Sequence, residues 1–383
     1  MQGHFKKRGA SWYFWVELER DLDGKRHQLS KGGFRTRKEA ERAFAEVRDQ
    51  IRQGAFVPPS KTTVESFLVG EWLPAIEASI RPSTHALYSR IVDAYVVPRI
   101  GPRRLGNVTP GQLNALYAAL LVDGRRQVGG SRPAGLSPKM VRHVHTLLHK
   151  AFSDAVRWGS LARNPADRAE PPRPRTPEMK VWNLGELRRF LDEVAGDRLG
   201  PVWLLLATTG MRRGEVAGLR WSDVDLEGGR ISVVQTHVIV NRRIVVSEPK
   251  TVKGRRSIAL DAATVASLRQ FRVRQLEERL ALGGTWSDTG LVVVHEDGTP
   301  INPRTLSSAF TRHSRAAGLP SIRLHDVRHS YATAALAAGI PAKIVSERLG
   351  HANIAITLDT YSHVLPNMQE KAAEQVAQLI LRS

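Results

Sequence analysis

The sequence predicts a multidomain protein in which a small β-sheet with one helix is followed by an all-α four-helix unit and then by a mixed α+β, mostly helical unit. The chain has 383 residues, more than one ordinary hydrophobic core contains. Proline-rich stretches at 56–60 and 170–177 interrupt the helical patterns, because proline removes a backbone donor and favours an extended chain. We therefore expect domains at 1–57, 61–170 and 176–383.

The first piece has the pattern of two strands and a helix. These elements are predicted at 11–19, 26–29 and 36–52. Four consecutive aromatic residues, Trp12 to Trp15, lie in the first strand. We expect alternate members to pack on the helix, with Phe44 and Val47 as partners. The alternative is that they face the bases of a nucleic acid.

The middle piece has the pattern of four helices, predicted at 63–78, 83–95, 109–120 and 137–158. Ser83 and Thr109 are the predicted N-caps, because a hydroxyl oxygen at that position accepts a hydrogen bond from the first turn. Pro110 suits the first helical position, where no backbone donor is needed.

The third piece begins with helices, continues with strands and returns to helices. Its helices are predicted at 183–194 and 202–208, its strands at 230–240, 244–247 and 256–260, and a last amphipathic helix at 367–382. Asn302-Pro303 is expected to start a further helix, and Gly339 and Gly350 are expected to end helices.

The charge of the chain indicates a polyanionic partner. The formal net charge is +20, with 57 Lys and Arg against 37 Asp and Glu. Residues 61–175 are the most basic part, with 17 Lys and Arg against 8 Asp and Glu, or +9. Each of these side chains taken alone fits solvated surface, but a net +9 between two further basic pieces favours contact with phosphates. We therefore expect the chain to bind nucleic acid.

Several function classes are excluded by what the sequence lacks. The absence of cysteine excludes disulfides, thiolate ligands and cysteine nucleophiles. No apolar run reaches the roughly 18 residues of a membrane helix, and the N-terminus has no signal core. His145 and His149 have a spacing that suits a metal, but without a third ligand nearby we expect them at the surface or facing DNA. We expect a cytoplasmic protein with no membrane partner and no cofactor.

Two arginines are candidates to bind a reacting phosphate. Arg212 lies three residues before Glu215, which can orient its guanidinium, and Arg328 lies three residues after His325 on one face of a predicted helix. Two guanidiniums on one phosphate stabilise the extra charge of a pentavalent phosphorane better than lysine does. Taken singly, Arg212 and Glu215 also fit a surface ion pair, and His325 fits a helix cap.

Tyr361 is the candidate nucleophile. It lies ten residues after His351 among polar residues. A phenol can attack phosphorus, but its ordinary pKa of about 10 means that it needs a base or nearby positive charge. The alternative is that Tyr361 packs against Ile354 or Val364. Tyr331 is not a candidate, because it lies within the apolar pattern of its helix.

Three segments, Thr209 to Glu215, His325 to His329 and Leu349 to His363, resemble the signature boxes of the tyrosine recombinase, or phage integrase, family in their order and spacing. The first piece resembles an N-terminal arm-type DNA-binding module, through its basic strands and the segment Lys31 to Ala40. The resemblance implies that the middle piece is a core-binding domain and that the third piece is a tyrosine recombinase catalytic domain.

The resemblance also implies a catalytic set, namely Arg212, Lys250, His325, Arg328, His351 and Tyr361. His325 is our candidate base, and His351 is expected to bond the phosphate or to position the tyrosine. The family donates a proton to the leaving 5′ oxygen from a lysine in a β-turn. Lys250 fits that role best, and Lys253 is its rival.

The activity that the resemblance implies is site-specific recombination for a phage or an integrative element. DNA is cut and rejoined through a 3′-phosphotyrosyl intermediate, without metal or ATP. The implied partners are double-stranded DNA with core and arm attachment sites, three further copies of the chain in a tetramer that forms a Holliday junction, and a directionality factor or a host DNA-bending protein. The last helix would pack either on a neighbouring protomer or on the protomer to which it belongs.

Two other functions are compatible with some of these sequence features. A type IB topoisomerase shares the tyrosine chemistry but acts on one duplex, and the additional N-terminal module argues against it. A non-catalytic DNA-binding regulator derived from a recombinase would be expected to have lost an active-site residue, and all six candidates are present.

Overall fold

The computed structural model describes residues 3–17, 28–52, 60–125, 134–174, 179–249, 254–361 and 368–381. The chain divides into two compact units, Met1–Thr176 and Pro177–Ser383. The first unit contains a small sheet with one helix and an all-α part, and the second is mixed but mostly helical. The predicted fold class is therefore confirmed.

The small sheet is antiparallel with strand order β1 (His4–Arg8), β2 (Ser11–Glu17) and β3 (Gln28–Phe34), and helix α1 (Arg37–Arg52) packs on it. Phe14 and Val16 point towards α1, where Phe44 and Val47 complete the core with Leu29. On the other face, the ring of Trp15 stacks between those of His4 and Tyr13. The prediction that alternate aromatic residues pack on the helix is confirmed by Phe14.

Strand β1 was not predicted from the sequence. It contains one apolar residue, Phe5, among basic neighbours, so that it has little strand periodicity of its own. It forms because its backbone pairs with β2 from His4 opposite Trp15 to Arg8 opposite Ser11. Strand β3 also extends beyond the predicted region, through Gly32 and Gly33, for the same reason of pairing with β2.

Replacing Phe14 with alanine is expected to unfold the small sheet. The ring is fully buried against Phe44 and Phe34, so its removal leaves a cavity that costs about 3–5 kcal/mol in a core of few residues. Limited proteolysis of the full chain should then cut within residues 3–52 first. The matched control is Trp15→Ala on the opposite face, and equal protease resistance of the two variants would contradict this packing.

In the described residues of 60–174, the all-α part has its α-helices packed around one core. Their bounds are α2 (Leu73–Glu77), preceded by a π-helical segment Ser66–Trp72; α3 (Pro82–Ile91), followed by a π-helical segment Val92–Val96; α4 (Val97–Ile100); α5 (Pro110–Asp123); and α6 (Pro138–Arg157). The buried Trp72 donates from its indole nitrogen to Asp154 on α6, 2.8 Å away. This bond satisfies two polar groups inside the apolar core.

Two details of these helices differ from the prediction. Thr109 is the N-cap of α5, as predicted, but Arg81 rather than Ser83 precedes the first turn of α3, because Pro82 occupies the first helical position. The second helix also continues past Tyr95 to Ile100. A proline in a helix clashes with the carbonyl group four residues before it. The wider π-helical turns relieve this clash, because one π-helical segment ends just before the helix that contains Pro74 and the other just before the helix that contains Pro98.

The second unit opens with α7 (Leu184–Glu193), α8 (Gly200–Thr209) and the short α9 (Arg213–Ala217). Strands β4 (Val224–Asp225), β5 (Arg230–Val233) and β8 (Arg256–Ala259) form one antiparallel sheet, and β6 (Thr236–Val240) and β7 (Arg243–Ser247) form a hairpin. The sequence predicted one strand over 230–240. The chain instead leaves the first sheet at Gln235, whose side-chain amide donates to the carbonyl of Gly218.

Further helices follow in the second unit. They are α10 (Ala262–Leu282), α11 (Pro303–Ala316), α12 (Leu324–Ala337), α13 (Ala342–Leu349), α14 (Ile354–Tyr361) and α15 (Met368–Leu381). Asn302 caps α11 and Gly350 ends α13 in the left-handed conformation, as predicted. Among the helices of the described ranges, none is long and apolar enough to cross a membrane.

The second unit has a main core and a smaller one near its C-terminal helices. The main core contains an aromatic group of Trp182, Phe190, Trp203 and Phe310. The smaller core joins α12, α13 and α14 and includes Leu336, Val345, Leu349 and Tyr361. This packing of three helices fixes the position of Tyr361 relative to α12. The predicted last helix is confirmed as α15, on which Val376, Ile380 and Leu381 are exposed.

Candidate active site

Arg212 is positioned by a tight turn between α8 and α9. Gly210 ends α8 with a φ of 63°, and a Cβ atom there would lie 2.7 Å from the side chains of Leu349 and Tyr331. Both the left-handed conformation and this close approach require glycine. Arg212 then precedes the first turn of α9, and its Nη1 donates to Glu215 Oε1 at 2.7 Å.

Glu215 is a buried carboxylate that connects two arginines. Besides Arg212, it accepts hydrogen bonds from Arg256 on β8, with Nη2 to Oε2 at 2.8 Å. Burial alone would raise the pKa of Glu215, but Arg256 and Arg212 outweigh it and lower that pKa to about 2. The carboxylate is therefore ionised throughout the neutral range. Arg256 was not identified from the sequence.

The C-terminal end of α13 organises three arginines. Its last carbonyl groups have no partner within the helix and lie at the negative end of the helix dipole. Arg256 Nε donates to the carbonyl of Arg348 at 2.6 Å, Arg328 Nη2 to that of Leu349 at 2.6 Å, and Arg212 Nη2 to that of Gly350 at 3.4 Å. Three consecutive carbonyl groups thus orient three guanidinium groups.

Arg328 is the most enclosed of the proposed phosphate ligands. It is buried on α12, and its Nη1 also donates to the carbonyl of Gly210 at 2.9 Å. Burial and the neighbouring Arg212 lower the pKa of Arg328 to about 9, and Glu215 opposes this shift. The guanidinium remains charged at neutral pH. Arg212 and Arg328 therefore present two positive charges in one region before any anion is bound.

The ion pairs of Glu215 should make the stability of the second unit depend on pH. A carboxylate with a lowered pKa contributes stability that is complete above its unfolded pKa of 4.5 and is lost as pH falls towards about 2. The contribution is about 3 kcal/mol at neutral pH. In denaturant titrations, the difference in unfolding free energy between the wild type and Glu215→Gln should shrink from pH 5 to pH 3. A difference that is the same at both pH values would contradict this.

Three histidines surround the arginines. His325 and His329 lie one turn apart on α12, with their rings edge to face at 5.1 Å between centroids. His351 follows α13, and its Nδ1 is hydrogen-bonded to Thr357 Oγ1 at 2.8 Å. Although His325 is exposed in part, desolvation of its ring by the surrounding protein, together with His329 and Arg328, lowers its pKa to about 4. Partial burial, Arg328 and Arg212 lower the pKa of His351 to about 4. Both rings are neutral at pH 7.

Tyr361 ends α14 with its side chain fully buried beside α12. Its hydroxyl is hydrogen-bonded to His329 Nδ1 at 2.6 Å. Burial raises the pKa of Tyr361 to about 12, and the nearby Arg328 opposes the shift. The phenol is therefore protonated at neutral pH and would need a proton acceptor to become a nucleophile.

The described part of the chain brings five of the six predicted site residues into one region, namely Arg212, His325, Arg328, His351 and Tyr361. The candidate general acids, Lys250 and Lys253, lie outside the described residues. Tyr331 packs in the smaller core, and its hydroxyl accepts a hydrogen bond from Arg348 at 2.7 Å.

The sequence had not identified His329 as a site residue. A signal was present, because His329 lies four residues after His325 and therefore on the same helical face. The middle-piece histidines have other partners: His145 bonds the hydroxyl of Tyr117, and His149 pairs with Asp167. Across residues 3–381, apart from the undescribed gaps, no group of three or more acidic or histidine side chains could hold a metal ion.

The chain is similar to known proteins over almost its whole length. Residues 186–368 match the model of the phage integrase family, and residues 4–51 match that of an arm DNA-binding domain. A relative from Caldanaerobacter subterraneus subsp. tengcongensis, named tyrosine recombinase XerC-like, is 29% identical over 99% of both chains. The ICEBs1 integrase of Bacillus subtilis is 26% identical over 90% of this chain and 91% of its own.

Solved structures have the same fold. The Tn1549 transposon integrase in complex with a circular intermediate DNA aligns with a TM-score of 0.65 at 20% identity, over 82% of this chain and 99% of that one. A lambda integrase tetramer bound to a Holliday junction aligns with a TM-score of 0.54 at 18% identity, over 91% and 95% of the two chains.

Proposed function

We propose that the chain is a tyrosine recombinase of the phage integrase family and that Tyr361 is the nucleophile with which it cuts and rejoins DNA at specific sites. The observation that carries this proposal is the position of the Tyr361 hydroxyl, 2.6 Å from a histidine nitrogen and beside the buried cation of Arg328. A phenol, a proton acceptor and fixed positive charge are what attack on a phosphodiester requires.

In the proposed reaction, the Tyr361 oxygen attacks phosphorus and the 5′ oxygen of the next nucleotide leaves. Arg212 and Arg328 bind the non-bridging oxygens and stabilise the phosphorane, with His325 and His351 as neutral hydrogen-bonding groups beside them. Lys250, or Lys253, protonates the leaving oxygen. The 3′-phosphotyrosyl bond keeps the energy of the phosphodiester, so that a 5′ hydroxyl can reseal it without ATP or metal.

The glutamate between the arginines explains how the site keeps its geometry without DNA. Glu215 holds Arg212 from one side and Arg256 from the other, and the end of α13 holds all three guanidinium groups. Binding of a phosphate then requires little rearrangement of these side chains. Because the donors are fixed beforehand, the positive charge is already in place where negative charge develops in the transition state.

The other domains of the chain would bind the DNA. We propose an arm-type DNA-binding domain at 1–57, a core-binding domain at 61–170 and the catalytic domain at 176–383. The partners would be double-stranded attachment sites and three further copies of the chain, assisted by a directionality factor or a host DNA-bending protein. The enzyme would act for a phage or an integrative element at the nucleoid, in the cytoplasm of a bacterial host.

Recombination between two duplexes tests this function. The substrates are two plasmids, one with the joined ends of the element that encodes the chain and one with its chromosomal target, incubated in EDTA without ATP. We expect a recombinant product that contains both plasmids. Relaxation of supercoils without exchange would indicate a type IB topoisomerase instead, and binding without either reaction would indicate a non-catalytic regulator.

A further inference from the structure

We propose that His329 is a further catalytic residue, whose Nδ1 accepts the proton of the Tyr361 hydroxyl as that oxygen attacks phosphorus. This inference rests on the proposed role of Tyr361 as nucleophile. It assigns the proton acceptor to a residue one helical turn beyond His325, the base candidate from the sequence. The structure supports the change, because the atom next to the tyrosyl oxygen belongs to His329.

The geometry suits direct proton transfer. The separation of 2.6 Å between Nδ1 and the hydroxyl oxygen is within the range in which a general base acts. The pair is held from both sides: Tyr361 is fully buried at the end of α14, and the His329 ring lies edge to face with that of His325. The two side chains are therefore already in hydrogen-bonding position before a phosphate binds.

The surroundings keep His329 able to accept a proton. Burial lowers its pKa below the ordinary value, Arg328 and Arg323 lower it further, and Asp326 opposes them. The other titratable groups that face it are His325 on the same helix, His351 after α13 and Tyr361 on α14. At neutral pH the ring is uncharged, and with its proton on Nε2 it has a lone pair on Nδ1 for the phenol.

The step balances in atoms and charge. The bond from the tyrosyl oxygen to phosphorus forms, the bond from phosphorus to the 5′ oxygen breaks, and the tyrosyl proton moves to His329 Nδ1. The 5′ oxygen takes its own proton from the lysine that the proposed function assigns. In resealing, the 5′ hydroxyl attacks phosphorus as its proton returns to that lysine. The bond from phosphorus to the tyrosyl oxygen breaks, and the imidazolium returns its proton to the tyrosyl oxygen. Between cleavage and resealing, the negative charge of Asp326 stabilises the His329 imidazolium.

The test combines His329→Gln with a more acidic phenol. Glutamine can still bond the hydroxyl but cannot take its proton, and 3,5-difluorotyrosine incorporated at position 361 ionises at lower pH than tyrosine. The rate measured is that of covalent adduct formation on nicked duplexes of the attachment DNA, in EDTA. We expect His329→Gln to lower this rate about 10²- to 10⁴-fold. The acidic phenol should restore most of the loss, and the restored rate should rise with pH as the phenol ionises.

His351→Gln is the matched control. It removes a second, half-buried histidine of the same site. The acidic phenol should not restore its rate, because His351 bonds Thr357 rather than the nucleophile. A His329→Gln protein that attaches at the wild-type rate would overturn the proposal, and so would a slow one that the acidic phenol does not rescue. If the wild type itself forms no adduct on its attachment DNA, the result contradicts the proposed function, and with it the role of His329.

Discussion

Replacing Tyr361 with phenylalanine is expected to abolish covalent attachment of the protein to DNA. The substitution removes only the hydroxyl oxygen, and the fully buried ring keeps its packing in the smaller core. The cost to folding is the lost hydrogen bond to His329, about 1–3 kcal/mol. The measurement is a denaturing gel of protein incubated with nicked duplexes in EDTA, on which the wild type gives a shifted band and the variant gives none.

Tyr331→Phe provides the control for this loss. Tyr331 also lies in the second unit and loses one hydrogen bond, from Arg348, when its hydroxyl is removed. This variant should form the adduct, and both variants should bind the same duplexes in a native gel. Adduct formation by Tyr361→Phe would show that another residue is the nucleophile.

The second large effect is expected for Arg328→Lys. Arg328 bonds the carbonyls of Gly210 and Leu349 with two different nitrogens, and a lysine ammonium cannot reproduce this planar arrangement. Loss of a preorganised donor at the phosphate should slow adduct formation about 10²- to 10³-fold. The measurement is a single-turnover time course at saturating protein, so that weaker DNA binding does not contribute.

Arg323→Lys is the matched control for that substitution. Arg323 precedes the first turn of α12, pairs with Asp326 and is largely exposed. Its replacement keeps the charge and should leave the rate within a few-fold of wild type. Because Arg328 is buried, the melting temperature of each variant must be measured as well. An Arg328→Lys protein that is folded and cleaves at the wild-type rate would remove Arg328 from the phosphate clamp.

What the sequence predicted well depended on local patterns. The helix N-cap at Thr109 and the helix end at Gly350 follow from the chemistry of single residues, and the structure has both. Arg328 and His325 were predicted to share a helical face, which follows from their spacing alone. Three boxes, in the order and spacing that resemble those of the family, then identified the region of the site.

What the sequence did not predict depends on contacts between distant segments. Arg256 reaches Glu215 across 41 positions, and His329 reaches Tyr361 across 32. No periodicity in either segment indicates such a pairing. Strand β1 formed for a similar reason, because its partner strand rather than its own composition satisfies its backbone. The choice between Lys250 and Lys253 stays a prediction, since both lie outside the described residues.

Mass mapping of the covalent adduct identifies the residue that attacks the DNA. Protein trapped on a nicked duplex is digested with nuclease and trypsin, and the peptide that carries a nucleotide is fragmented to locate the attachment. We expect the peptide 349–371, in which Tyr361 is the only tyrosine, with the nucleotide joined to Tyr361 through its 3′ phosphate. A nucleotide on Tyr331, on a serine, or joined through a 5′ phosphate would contradict it.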